Sequence, residues 1–135
     1  MTAKEIIDQY NFSKERIASL EKEKQRINDE PPVKVTDYSE FGHGNGGGIE
    51  EKYCNRIKEI EEIDEEIKWL KHYVERVEKV FGWISRTHKE ELDIVLYKYT
   101  SNKTNKEVAI TFGYGERTIN RKLKVVCDKL VKLLS

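Results

Sequence analysis

The apolar side chains between Ile49 and Phe81 constrain this chain more than any other feature. Most of them form a stripe at Ile49, Tyr53, Ile57, Ile60, Ile63, Ile67, Leu70, Val74, Val77 and Phe81. From Ile60 onward the steps alternate three and four. That period gathers the side chains on one stripe of an α-helix and would scatter them over both faces of a strand. The spacing predicts a helix from about Ile49 to Ile84, roughly 36 residues and about 54 Å long at 1.5 Å per residue. A second seam precedes it at Ile6, Tyr10, Ser13, Ile17, Leu20 and Ile27, with Lys24 in the one missing heptad position. It predicts a helix from about Ala3 to Asn28, about 37 Å long, stopped by Pro31-Pro32. Hydrophobic and charged residues each make up 37% of the chain, a balance that suits long helices with a single apolar stripe. A stripe of that length must be covered. Either the first helix folds back along the second as an antiparallel, coiled-coil-like hairpin, or the stripes meet another subunit.

Residues 29–48, DEPPVKVTDYSEFGHGNGGG, have no helical periodicity. A connection of roughly 20 residues is long for two helices. Gly42, Gly44 and Gly47 spell G-x-G-x-x-G, the pattern of a dinucleotide-binding turn. That chemistry needs a strand before the loop and a parallel strand after the helix, ending in an acidic residue. Beyond residue 49 the chain offers only helical periodicity. The glycines read as a flexible hinge, with no cofactor implied.

No apolar run approaches 18 residues, so no membrane span is expected. The opening MTAKEIIDQY carries acids and lacks an apolar h-region, so no signal peptide is expected either. Cys54 and Cys127 lie far apart, and with His43, His72 and His88 they match no zinc spacing. They read as structural thiols of a reducing compartment. Glu59, Glu61, Glu62, Asp64, Glu65 and Glu66 crowd one stretch. Without an interleaved histidine or a second carboxylate cluster they read as a solvated face and not as a metal or acid–base site. No nucleophile–base pair is visible, so no catalytic residue, metal or enzyme activity is expected.

The remainder, residues 85–135, is organised differently. Thr87-His-Lys-Glu90 and Thr104-Asn-Lys-Glu107 both have capping-box spacing. Leu92, Val95, Leu96 and Tyr99 give one short apolar face, and Val108, Ala109 and Phe112 a second. Ile119, Leu123, Val126, Leu130, Val131 and Leu134 give a third. Three consecutive helices over residues 88–134 follow. The stretch EVAITFGYGERTINRKLK (107–124) reads as a helix-turn-helix. Ala109 is small where a second helix must cross. Gly113 can take the left-handed backbone of a tight turn, and Tyr114 and Ile119 bracket that turn. The next helix would present Glu116, Arg117, Asn120, Arg121 and Lys124 outward. Arginine pairs with guanine and asparagine with adenine in the major groove. Lys103, Lys106, Thr118 and Lys122 are placed to meet phosphates. Residues 102–135 hold eight Lys/Arg against three acids, +5, leaving 17 basic against 22 acidic residues, −5, over residues 1–101. Such asymmetry points to a nucleic-acid-binding end.

Residues 87–134, and LDIVLYKYTSNKTNKEVAITFGYGERTINRKLKVV within them, resemble the promoter-binding region 4 of bacterial sigma factors. The layout of the whole chain is similar to small phage-encoded transcriptional regulators of the ArpU/RinA type. The resemblance implies an all-α chain, with a helical hairpin or oligomerisation region over residues 1–84 and a helix-turn-helix domain over residues 85–135. It implies a sequence-specific activator of phage or prophage late genes. Such a protein binds double-stranded promoter DNA in the cytoplasm of a bacterial host, with host RNA polymerase as partner; the heptad helices themselves offer a surface for a homodimer. Two departures stand out. Gly115 replaces the usual serine N-cap, and the aromatic, basic segment with which complete sigma factors melt DNA is missing. A small-terminase-like DNA-packaging subunit and a sigma-like factor are the alternative readings.

Overall fold

The computed structural model describes residues 1–30 and 47–135, the side chains of 47–50 excepted. All the elements among these residues are helices: α1 (Ala3–Asp29), α2 (Gly47–Thr100), α3 (Asn105–Phe112) and α4 (Glu116–Leu134). The all-α expectation therefore holds. The proposed hinge lies mostly outside the described residues. At the edges of the predicted linker, Asp29 belongs to α1, and Gly47 and Gly48 to α2.

α2 departs from its predicted length. It does not stop near Ile84 but keeps a helical hydrogen-bond pattern to Thr100. A break does occur close to the predicted restart, at His88, whose φ of −137° and ψ of 50° are not helical. Gly82 costs an α-helix roughly 1 kcal/mol relative to alanine, yet it ends nothing. Val80 and Ile84 on either side are buried, and Ser85 Oγ donates to the Gly82 carbonyl at 2.9 Å. Tertiary burial outweighs the local preference.

Two compact units form, one from residues 1–15 with 71–135, the other from residues 16–70. In the first, Ala3, Ile6 and Ile7 at the start of α1 join one apolar cluster with Val80, Ile84, Leu92, Ile94 and Val95 of α2, and with the buried faces of α3 and α4. Ile7 and Ile94 are fully buried although neither lies on a predicted stripe. Tyr10 packs edge-on against Phe81 with ring centroids 5.2 Å apart and donates to Glu78 at 2.9 Å. Burial, that hydrogen bond and the Glu78 charge push the Tyr10 phenol up to about 12. Asn11 Nδ2 donates to Thr100 Oγ1 at 3.1 Å.

In the second unit Leu20, Ile27 and Ile67 are buried. Arg16 pairs with Glu66 at 3.1 Å, Lys24 with Asp64 at 2.7 Å, and Glu30 with Arg56 at 3.2 Å. Partner numbers fall along α2 as they rise along α1, the order that antiparallel helices give. Toward the lower end of the predicted stripe, two of the described side chains stay exposed. Tyr53 is 62% and Ile57 41% exposed. Glu30, the last described residue after α1, reaches only as far as Arg56, so among the described residues Tyr53 has no turn of α1 opposite it.

Of the six clustered acids, Asp64 and Glu66 hold α1 cations and Glu65 accepts from Trp69 Nε1 at 3.2 Å. Among the described residues no three His, Cys, Asp or Glu side chains are grouped to hold a metal ion. No helix among them is long and apolar enough to cross a membrane.

Candidate nucleic-acid interface

The helix start at Asn105 is set by local chemistry. Thr104 sits in an extended conformation (φ −78°, ψ 161°) and its hydroxyl accepts from the Glu107 amide at 3.3 Å. Glu107 reaches back, accepting from the Thr104 amide at 3.4 Å and its hydroxyl at 3.1 Å. This is the reciprocal box that the spacing predicts, and it satisfies two amides that a helix start leaves free. The Thr104 hydrogen bonds hold the Glu107 carboxyl below its ordinary value, helped by the charge of Lys103.

α3 buries Val108 and Ala109 and then stops. Gly113 adopts φ 75° and ψ 28°, the left-handed region that L side chains resist. Its amide and that of Tyr114 both donate to the Ala109 carbonyl, at 2.9 and 3.0 Å. Two residues on, Gly115 is back in an extended conformation (φ −74°, ψ 157°) and starts α4 without a side-chain cap. The connection is three residues long. Ile119, Leu123, Val126 and Leu130 then line the buried face of α4 at steps of four, three and four. Burying each contributes roughly 1.5–3 kcal/mol, enough together to fix the rotation of α4 about its own axis.

That rotation decides which side chains face out. Glu116, Arg117, Asn120, Arg121 and Lys124 are all exposed, as is Lys106 on α3. Thr118 is half-buried. Lys103, just ahead of the Thr104 cap, stands 3.7 Å from Glu107. Lys122 is drawn inward: its ammonium lies 3.9 Å from Glu90, 3.7 Å from Glu91 and 4.9 Å from the Tyr114 ring centroid. Tyr114 also donates to Glu90, and that bond, with burial and the charges of Glu90 and Glu91, raises its phenol above the ordinary value. The Glu90 carboxylate, expected to cap a helix at Thr87, is thus engaged with the turn between α3 and α4. Lys122 and Tyr114 anchor that turn onto α2.

Two contributors carry no signal in the linear sequence. Lys98, near the end of α2, donates to Asn105 Oδ1, and Asn105 Nδ2 donates to Asn120 Oδ1. The three residues stand on three different helices, so helical period does not relate them and only the packed fold brings them together.

No family model matches the chain, and neither a curated protein nor a solved structure is significantly similar to it.

Proposed function

We propose that this protein is a sequence-specific DNA-binding transcriptional regulator, with α3 and α4 as its helix-turn-helix and α4 as the helix that enters the major groove. The observation that carries the reading is the outward face of α4. Arg117, Asn120, Arg121 and Lys124 project opposite the buried Ile119, Leu123, Val126 and Leu130. Arginine and asparagine at such positions reach base edges, and lysine meets phosphate or base. Lys103, Lys106 and the first turn of α4 with Thr118 supply the phosphate contacts. Lys122 in this reading supports the turn as well as adding positive potential. Glu116 can accept from a cytosine amino group.

The finer architecture belongs to the same proposal: a helical hairpin from α1 and the first part of α2, followed by a three-helix helix-turn-helix domain. One such module buries only roughly 600–1,000 Å² of its own surface on DNA, so useful specificity calls for a homodimer or a second protein on the promoter. The sigma-like run at residues 87–134 supports host RNA polymerase as that second protein, at phage or prophage late promoters in the bacterial cytoplasm. The acidic face at residues 59–66 would be repelled by DNA, so it is not counted among the DNA contacts.

Selection of binding sites from random duplex DNA, followed by footprinting, tests the reading. Arg117→Ala and Arg121→Ala should each relax preference at one base pair, by about 1–3 kcal/mol of discrimination. Lys106→Ala should weaken all sequences alike and reduce the salt slope by about one. Variants that select the same site as the parent with equal affinity would remove α4 as the reading helix. A ring-shaped oligomer with no sequence preference would favour the packaging subunit instead.

A further inference from the structure

Asn120 does not face outward with both ends of its amide free. Its Oδ1 accepts from Asn105 Nδ2, and Asn105 Oδ1 accepts from the Lys98 ammonium. The direction of this relay is dictated by its first member. A lysine ammonium has donors only, so Asn105 must turn its oxygen toward Lys98. Asn105 then has only its amino group left for α4, and Asn120 must answer with its oxygen. Lys98 and Asn105 are half-buried. Asn105 is the first residue of α3, where the Thr104–Glu107 box fixes the backbone. Nothing about Asn120 alone would choose between its two amide orientations. The relay chooses.

We infer that Lys98 and Asn105 are positioning residues that hold Asn120 as a hydrogen-bond donor toward DNA, so that it reads an acceptor edge. The inference rests on the DNA-binding reading of α4 and sharpens it. Bidentate recognition of adenine needs the asparagine oxygen and nitrogen side by side on the base edge. With Oδ1 turned back toward α3, that mode is closed. The amino group presents two protons to the groove. Guanine, with acceptors at N7 and O6, suits it best, and thymine, with O4, comes next. The general expectation of an asparagine–adenine pair is thereby reversed at this position by a lysine on another helix.

The test inverts the relay while keeping the helix. In Asn105→Asp the carboxylate accepts from Lys98 and can only accept from Asn120 as well, which turns the Asn120 oxygen outward. An acid at the first position of a helix is favoured by the helix dipole, so the fold should hold. Site selection with the full chain should show a guanine or thymine preference of roughly tenfold, the worth of one hydrogen bond, at the base pair whose preference disappears in Asn120→Ala. Asn105→Asp should switch that base pair to adenine or cytosine, which offer amino donors. Lys98→Met should flatten it, and Lys98→Arg, again a donor only, should restore it. Preferences at the Arg117 and Arg121 base pairs should not move. A second arm needs no DNA. In side-chain amide NMR spectra of the free protein, Asn120→Ala should shift the Asn105 amino resonances. If Asn105→Asp selects the parental base, or the Asn105 resonances ignore Asn120→Ala, the relay does not set the orientation. If the NMR arm succeeds while no variant, nor the parent, selects a sequence, the DNA-binding reading fails and the specificity role falls with it.

Discussion

The same substitution, glycine to serine, should move stability in opposite directions at two positions two residues apart. At Gly115 the backbone is extended (φ −74°, ψ 157°), nothing lies within 4 Å of an added Cβ, and the start of α4 has no side-chain cap. Serine fits that conformation without strain. Its hydroxyl can accept from a first-turn amide of α4, worth a few tenths of a kcal/mol over glycine. The unfolded chain also loses freedom, worth about 0.4–1 kcal/mol. Gly115→Ser should stabilise by about 1 kcal/mol. At Gly113 the added Cβ is again in open space, so there is no packing penalty. The φ of 75° carries the whole cost, about 1–2 kcal/mol for a left-handed L residue, partly offset in the unfolded state. Gly113→Ser should destabilise by about 1 kcal/mol. For a chain of this size these changes correspond to about 3–5 °C up and down in Tm, read by circular dichroism at neutral pH on the full chain. Shifts of the same sign would refute the assignment of a left-handed stop and an extended restart, and with it the three-residue turn that aims α4.

Ile119 is fully buried, so Ile119→Ala should lose about 2–5 kcal/mol in urea unfolding; Ile110→Ala, 75% exposed on α3, should stay within about 0.5 kcal/mol. Glu107 is held below its ordinary carboxyl value by Thr104, so the fold favours its charged form. The advantage of the parent over Glu107→Gln should be full above that ordinary value and disappear as pH falls through the depressed one, followed as the Tm difference against pH. Tyr10 is raised from 10.0 to about 12. Its ionisation therefore opposes folding, and the parent should lose stability between pH 10 and 12 more steeply than Tyr10→Phe in alkaline melts.

The features that one stretch of chain determines by itself were legible in the sequence. The Thr104–Glu107 box, the stop at Gly113 and the restart beside Gly115 depend on backbone groups within a few residues, and each stands where residue type and spacing put it. The buried stripe of α4 follows from helical period alone, and with it the outward placement of Arg117, Asn120, Arg121 and Lys124. Tertiary structure decided the rest, because it depends on groups that no short-range period relates. Burial of Val80 and Ile84 carries α2 through Gly82 and on past Ile84, where the sequence pattern predicts its end. Ile7 and Ile94 fill the core from outside their own predicted stripes. Glu90 and Glu91 draw Lys122 inward, and Lys98 orients Asn120 through Asn105. The sequence by itself determined which residues α4 turns outward. Only the packing of α2, α3 and α4 decided how two of those predicted for DNA, Lys122 and Asn120, are held, because burial and hydrogen-bond partners come from chain segments far apart in number.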